Sequence, residues 1–210
     1  MKTPGPDLSF EKILWQAGVS AIAGIDEAGR GALAGPVAAA AVILPPDENI
    51  SLLLEGVRDS KQMTPVQRSC WCEQIKKWAI SFGVGFASND EIDLLGILQA
   101  THLAAARALE ALSLAPAHLI LDYLFLSECA LPQTSLVKGD QRSLSVAAAS
   151  VLAKTSRDAF MVALNEHVPG YGFDRHKGYG TASHCAALDN LGLSPVHRRT
   201  FHLHRGAKHV

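Results

Sequence analysis

The stretch AIAGIDEAGRGALAGPVAAAAVILP, residues 21–45, holds two runs of Ala, Val and Ile on either side of a glycine-rich turn. Both runs read as neighbouring strands of a sheet that is covered on its two faces. Asp26 and Glu27 fall where the first strand ends. Adjacent residues of a regular strand point to opposite faces, so both acids serve one site only if the chain leaves extended geometry there. Gly29 and Gly31 permit a sharp turn and let a ligand approach the main chain without a Cβ in the way. Arg30 between them presents a donor fork suited to phosphate.

Working outward, residues 8–17 read as a short amphipathic helix that Gly18 ends. Residues 65–79 look helical, and Ile80–Ser88 alternates like a third strand. Ser88, Asn89 or Asp90 caps a single long helix predicted to run to about Leu112, with Pro116 marking the exit. Ala117–Leu126 is the clearest strand, and TSLVKG at 134–139 is a short one. Ser143–His167 is a long Ala-rich helix, and a final helix spans Thr181–Leu191. This order predicts an α/β fold, a mixed β-sheet flanked by α-helices, in a single domain over residues 1–210. Its core lies at about 20–170, followed by a basic, helical, substrate-binding extension at about 171–210.

Asp122 lies inside the run LILDYLFL, where a carboxylate is expensive unless it points out at a sheet end, finds a cation or is protonated. A hydrogen-bonded strand terminus or an internal ion pair would explain it without chemistry. Asp140 in VKGDQRS precedes the long helix. Asp158 competes with it, but mid-helix it pairs more easily with Arg157 or Lys154. Four carboxylates from separated segments suit two hard cations bound by oxygen. Paired ions of this kind perform in-line phosphoryl chemistry without a nucleophilic side chain.

Overall charge is close to balanced, at −1, yet it is unevenly spread. Residues 171–210 carry six Lys/Arg against two Asp/Glu, and six of the nine histidines. A basic end on an acidic body suits a polyanion held beside a metal site, and a solvated tail would look similar. The four cysteines have no paired CxxC spacing, which argues against zinc and for a reducing compartment. The apolar run Val37–Leu44 is too short to span a bilayer and the N-terminus lacks the order of a secretion signal. A soluble, cytoplasmic protein with no membrane partner is expected, with a monomer as the default.

The motifs GIDEAGRGALAGPV, DSKQMT, KGD, AAASVLAKTSRD, YGFDRHKGYGTASH and SPVHRRTF, in that order, resemble those of bacterial ribonuclease HII (type 2 ribonuclease H), over about residues 21–201. The resemblance implies a ribonuclease H-like fold. It also implies an endonuclease that uses Mg²⁺ or Mn²⁺ to cut the RNA strand of RNA/DNA hybrids and to nick duplex DNA 5′ to a single embedded ribonucleotide. By the same resemblance Asp26, Glu27, Asp122 and Asp140 are the metal-binding, catalytic carboxylates. Gly29, Arg30 and Gly31 read the 2′-hydroxyl largely through main-chain groups, the one feature separating RNA from DNA at that sugar. Tyr179 packs at the ribonucleotide, where its alternative is a half-buried core aromatic. Lys61, Lys154 and Lys177 are phosphate contacts, or else solvated lysines. Tyr123 stands where the family commonly has glycine or another small residue, and as a strand former it leaves the strand intact. The extra N-terminal domain expected of the related type 3 enzymes is not recognised. Recruitment by a replication clamp is an open partner reading. A catalytically silent nucleic-acid-binding module, and another nuclease or strand-transfer chemistry on the same fold, are the alternatives.

Overall fold

The computed structural model describes residues 5–201. Five strands form one sheet in the order β3-β2-β1-β4-β5: β1 Ile22–Ala28, β2 Val37–Ile43, β3 Ser81–Ala87, β4 His118–Asp122 and β5 Gln133–Leu136. The first three strands pair antiparallel, and β4 and β5 add in parallel beyond β1. The helices are α1 Ser9–Gln16, α2 Ile50–Leu53, α3 Pro65–Trp78, α4 Asn89–Leu95, α5 Ile97–Glu110, α6 Leu144–His167, α7 Phe173–His176 and α8 Ala182–Leu191. No helix among the described residues is long and apolar enough to cross a membrane.

Every residue of β2 is buried, which is why its sequence shows no alternation. Its side chains nevertheless divide by face. Ala40 and Val42 join a core with Leu144, Ala147 and Ala148 of α6 and Ile75 of α3. Ala39, Ala41 and Ile43 join the opposite core with Ala100, Ala104 and Ala108 of α5. Alanine on strand and helix lets the layers approach closely, and at Gly24 the approach admits no side chain. A Cβ there would lie 2.2 Å from the Ser145 carbonyl carbon. The N-terminal half of α6 is buried on all sides, as a helix inserted between sheet and α3 requires.

The C-terminal segment forms a separate apolar cluster, in which Tyr171 and Phe173 pack with Ala34 and Met161, against Leu188 and Val196. An antiparallel bridge between Ala34 and His197 ties this segment to the glycine-rich turn after β1.

Several expectations need correction. The single helix expected to run to about Leu112 is two helices, broken at Gly96, whose φ of +79° belongs to glycine. The fourth strand ends at Asp122 and not at Leu126. Tyr123 follows with φ +48°, so tyrosine's strand preference does not carry the strand through it. The fifth strand covers Gln133–Leu136 and stops before Lys138, which is left-handed at φ +55°. Glu27 lies within β1, which stays extended to Ala28, so the chain turns at Gly29 and not between the two acids. Residues 202–210 of the basic extension lie outside the described residues.

Candidate active site

The β1–β4 register pairs Ile25 with Leu121, which sets Asp26 and Asp122 side by side at the carboxyl ends of adjacent parallel strands. Asp122 is therefore a half-buried residue of a sheet end and not of a strand interior. Its Oδ1 accepts the Gly139 N–H at 2.7 Å, which holds the 3₁₀ turn Gly139–Gln141 against the end of β4. That turn carries Asp140. Asp26, Asp122 and Asp140 each offer a carboxylate oxygen, all within 4.8 Å of one another. Separate segments thus deliver three acids to one point, closer than mutual repulsion favours.

The electrostatics record that repulsion. Burial raises the Asp26 carboxyl well above its ordinary value, with Glu27 and Asp122 adding to the effect. Asp140 is pushed up to about 6 by burial, by Asp59 and by Asp122. Glu27 is not one of the three converging acids. Burial raises it too, while Arg30 opposes the rise. Its Oε1 lies 3.3 Å from the Arg30 guanidinium, and its Oε2 is buried with no hydrogen-bond partner. Burial alone would lower the Lys61 ammonium, but Asp26, Asp59, Asp140 and Asp122 outweigh it and raise it. Oxygen donors only, negative charge in excess and an orphaned buried carboxylate oxygen are what a site for hard divalent cations requires.

Asp59 does not stand out in the sequence. It is buried beside Asp140, with Oδ1 accepting the Lys61 N–H at 2.9 Å. Within RDSK it reads as a solvated turn acid, and only the fold brings it to the cluster.

Two further residues become visible only in three dimensions. Arg157 and Arg198 are fully buried, and their guanidinium groups meet carbonyl oxygens in place of carboxylates. Arg198 donates to the carbonyls of Gly29, Arg30, Gly35 and Pro36 at 2.8–3.1 Å. Arg157 donates to Ala34, Pro36 and Lys177 at 2.8–3.1 Å, joining the glycine turn to the segment that carries Tyr179. With its carbonyls drawn inward, the turn leaves the Arg30 and Gly31 N–H groups without a protein acceptor among the described residues. Gly29 has φ +94° and its Cα faces Arg157, whereas Gly31 has open space around it.

Tyr179 is half-buried, with Lys154 Nζ and the Arg157 guanidinium 5.4 and 5.3 Å from its ring centroid. It lines a cleft of about 440 Å³ together with Arg68, Lys154, Asp158, Arg175 and Lys177. Asp158 is paired with Lys154 at 2.6 Å and with Arg68 at 3.2 Å, and is not among the three converging acids. Lys177 caps the carbonyls of Asp174 and Arg175. Of the three lysines expected at phosphates, only Lys61 points at the acidic cluster.

The ribonuclease HII family model matches residues 23–204. Ribonuclease HII of Synechococcus sp. is 52% identical over 200 residues, covering 95% of this chain and 90% of that protein. Ribonuclease HII of Geobacillus thermodenitrificans is 50% identical, covering 92% of this chain and 73% of that protein. Among solved structures, the ribonuclease HII of the Archaeoglobus fulgidus PCNA:RNase HII complex superposes with a TM-score of 0.72 at 26% identity, over 87% of this chain and 96% of that one. The five-stranded mixed sheet is accordingly ribonuclease H-like, and the chain belongs to the ribonuclease HII family, the ribonucleases H that cleave the RNA strand of RNA/DNA hybrids.

Proposed function

We propose that this ribonuclease H also nicks duplex DNA 5′ to a single embedded ribonucleotide, leaving a 5′-phosphate, with two divalent ions (Mg²⁺ or Mn²⁺) held by Asp26, Glu27, Asp122 and Asp140. The observation that carries the reading is the meeting of three carboxylates within 4.8 Å beside a glycine turn whose Arg30 and Gly31 N–H groups are free among the described residues. Asp26, Glu27, Asp122 and Asp140 would hold the paired ions, which would supply Lewis acidity to an attacking water and to the phosphodiester. The chain's own groups do the rest. The turn at Gly29, Arg30 and Gly31 offers main-chain donors to a 2′-hydroxyl, and the Tyr179 ring packs on the neighbouring sugar. Lys61, already drawn toward the acids, supplies positive charge for the phosphate that approaches them. The basic C-terminal extension grips the remainder of the duplex through nonspecific backbone contacts.

The deciding assay uses a labelled DNA duplex carrying one ribonucleotide, incubated with Mg²⁺, with Mn²⁺ and with chelator. A metal-dependent nick 5′ to the ribonucleotide is expected, and it disappears in Asp122→Asn while the circular dichroism spectrum is unchanged. Turnover by Asp122→Asn at the parental rate would overturn the assignment. That a structural neighbour was solved with PCNA supports recruitment of this enzyme by a sliding clamp.

A further inference from the structure

Behind the Tyr179 segment the C-terminal region encloses a chain of imidazoles. His184 of α8 and His197 are both fully buried. The Ser194 N–H donates to His197 Nδ1 at 3.0 Å. A backbone N–H only donates, so Nδ1 is bare and the ring proton of His197 sits on Nε2. That Nε2–H meets His184 Nε2 at 3.0 Å, which must accept it. The proton of His184 is then on Nδ1, 3.0 Å from the Tyr179 carbonyl, an atom that only accepts. A single proton arrangement satisfies all three contacts, and both rings are neutral in it. His176 stacks on His184 at 4.4 Å between centroids, and its own Nδ1 accepts the Gly178 N–H at 3.2 Å.

We propose that His184 and His197 are positioning residues for ribonucleotide recognition, a two-imidazole relay from Ser194 that fixes the Tyr179 peptide and thereby its ring. The inference rests on the reading that Tyr179 senses the ribonucleotide. Tyr179 lies between Gly178, at φ +82°, and Gly180, and two local bonds hold its peptide, its N–H on the His176 carbonyl at 3.0 Å and the Thr181 N–H on its own carbonyl at 2.8 Å. The relay adds a second donor to the Tyr179 carbonyl, one anchored outside the local turn, while Arg157 and Lys154 bracket the ring. Phe173 closes the other side of the pair, edge-on to His184 at 5.5 Å. A second proton on His197 would cost the Ser194 N–H its acceptor and leave the Ser194 hydroxyl, 2.7 Å from Nδ1, to receive the new N–H, and one on His184 would set two Nε2–H groups against each other. The titratable group facing both rings is His176, which opposes their charging further. Burial, with these neighbours, pushes His197 down to about 4 and lowers His184, which keeps the relay neutral at physiological pH.

Asparagine and glutamine separate positioning from packing, because the Asn amide nitrogen overlays Nδ1 of histidine and the Gln amide nitrogen overlays Nε2. His184→Asn retains the donor to Tyr179, and His184→Gln loses it. At His197 the order reverses, since only His197→Gln still reaches His184. Steady-state kinetics on a duplex with one ribonucleotide and on a long RNA/DNA hybrid, with melting temperatures, give the readout. His184→Gln and His197→Asn should lose about tenfold in kcat on the single ribonucleotide, the worth of one buried hydrogen bond, and much less on the hybrid. His184→Asn and His197→Gln should stay within about threefold of the parent, the remnant of a repacked ring. Losses that track melting temperature alone, with no reversal of order, would overturn the proposal. If one position does not tolerate substitution, the other pair decides. In the parent protein, ¹⁵N spectra of the imidazoles should place the proton on Nδ1 of His184 and Nε2 of His197, and the opposite tautomers would equally refute the relay. Tyr179→Ala, measured in parallel, distinguishes the two failures. Equal loss on both substrates there removes the recognition reading, and the relay's role with it. Selective loss there with unselective relay variants removes the relay alone.

Discussion

Within the Gly29-Arg30-Gly31 motif the two glycines should respond in opposite ways to a single methyl group. At Gly29 a Cβ would stand 1.9 Å from Arg157 Nε and 2.6 Å from Cζ, on a backbone with φ +94°. The left-handed conformation costs an L-residue about 1–2 kcal/mol. Arg157 cannot move aside freely, because it is fully buried and bound to the carbonyls of Ala34, Pro36 and Lys177. Displacing it forfeits at least one charge-assisted hydrogen bond, worth about 1.5–3 kcal/mol. Gly29→Ala should therefore destabilise by about 2.5–5 kcal/mol, a fall in melting temperature of roughly 5–20 °C for a chain of this size. At Gly31 a Cβ would meet no atom within 4 Å, and φ is not positive, so Gly31→Ala should change stability by less than about 0.5 kcal/mol. Its expected deficit is in KM for ribonucleotide-containing duplex, where the methyl meets the approaching sugar. Thermal melts followed by circular dichroism, paired with kcat and KM for each variant, test both halves. Equal melting temperatures for the two variants would refute the packing account of this turn.

Asp140→Asn should abolish cleavage yet stabilise the metal-free protein at pH 7.5 by about 1–3 kcal/mol, because it removes a carboxylate whose pKa is raised to about 6 in the folded state. The sign follows from the window: above pH 6 the folded state bears an ionised acid it disfavours, and below the ordinary value of 3.8 that burden is gone. The variant's advantage in urea unfolding should consequently shrink as pH falls from about 7 to about 4, and an advantage that grows would contradict the repulsion. Tyr123 holds φ +48° with its side chain largely exposed, so Tyr123→Gly should raise stability by about 0.5–1 kcal/mol in the same assay. A loss of stability would mean that the ring makes contacts worth more than the backbone strain.

The strands flanking the glycine turn are legible in the sequence because burial on both faces leaves short Ala-, Val- and Ile-rich runs bounded by glycine and proline. The end of β4 is not, because Leu124 and Leu126 remain buried after the strand has stopped and prolong the apolar pattern. The break at Gly96 is masked because helical periodicity continues on both sides, and one glycine changes helix propensity by only about 1 kcal/mol. In the site, Asp26 and Asp122 can be named from sequence because each interrupts an apolar run, and Asp140 because it stands between Gly139 and the long helix. Asp59 cannot, since its proximity to Asp140 is made by folding alone. Arg157 and Arg198 are hidden for a different reason. A buried arginine is read in sequence by searching for an acid partner, and here the partners are main-chain carbonyls, which every residue carries.

The reach of Arg198 bears on when the protein becomes competent. Its guanidinium holds Arg30 and Gly29 across 168 and 169 residues of chain. During synthesis the sheet and its first flanking helices can assemble while the glycine turn still lacks its clasp. A nascent chain that has not yet reached this arginine thus carries an unfastened turn, and under the proposed reading its discrimination between sugars is acquired only when the C-terminal segment folds back.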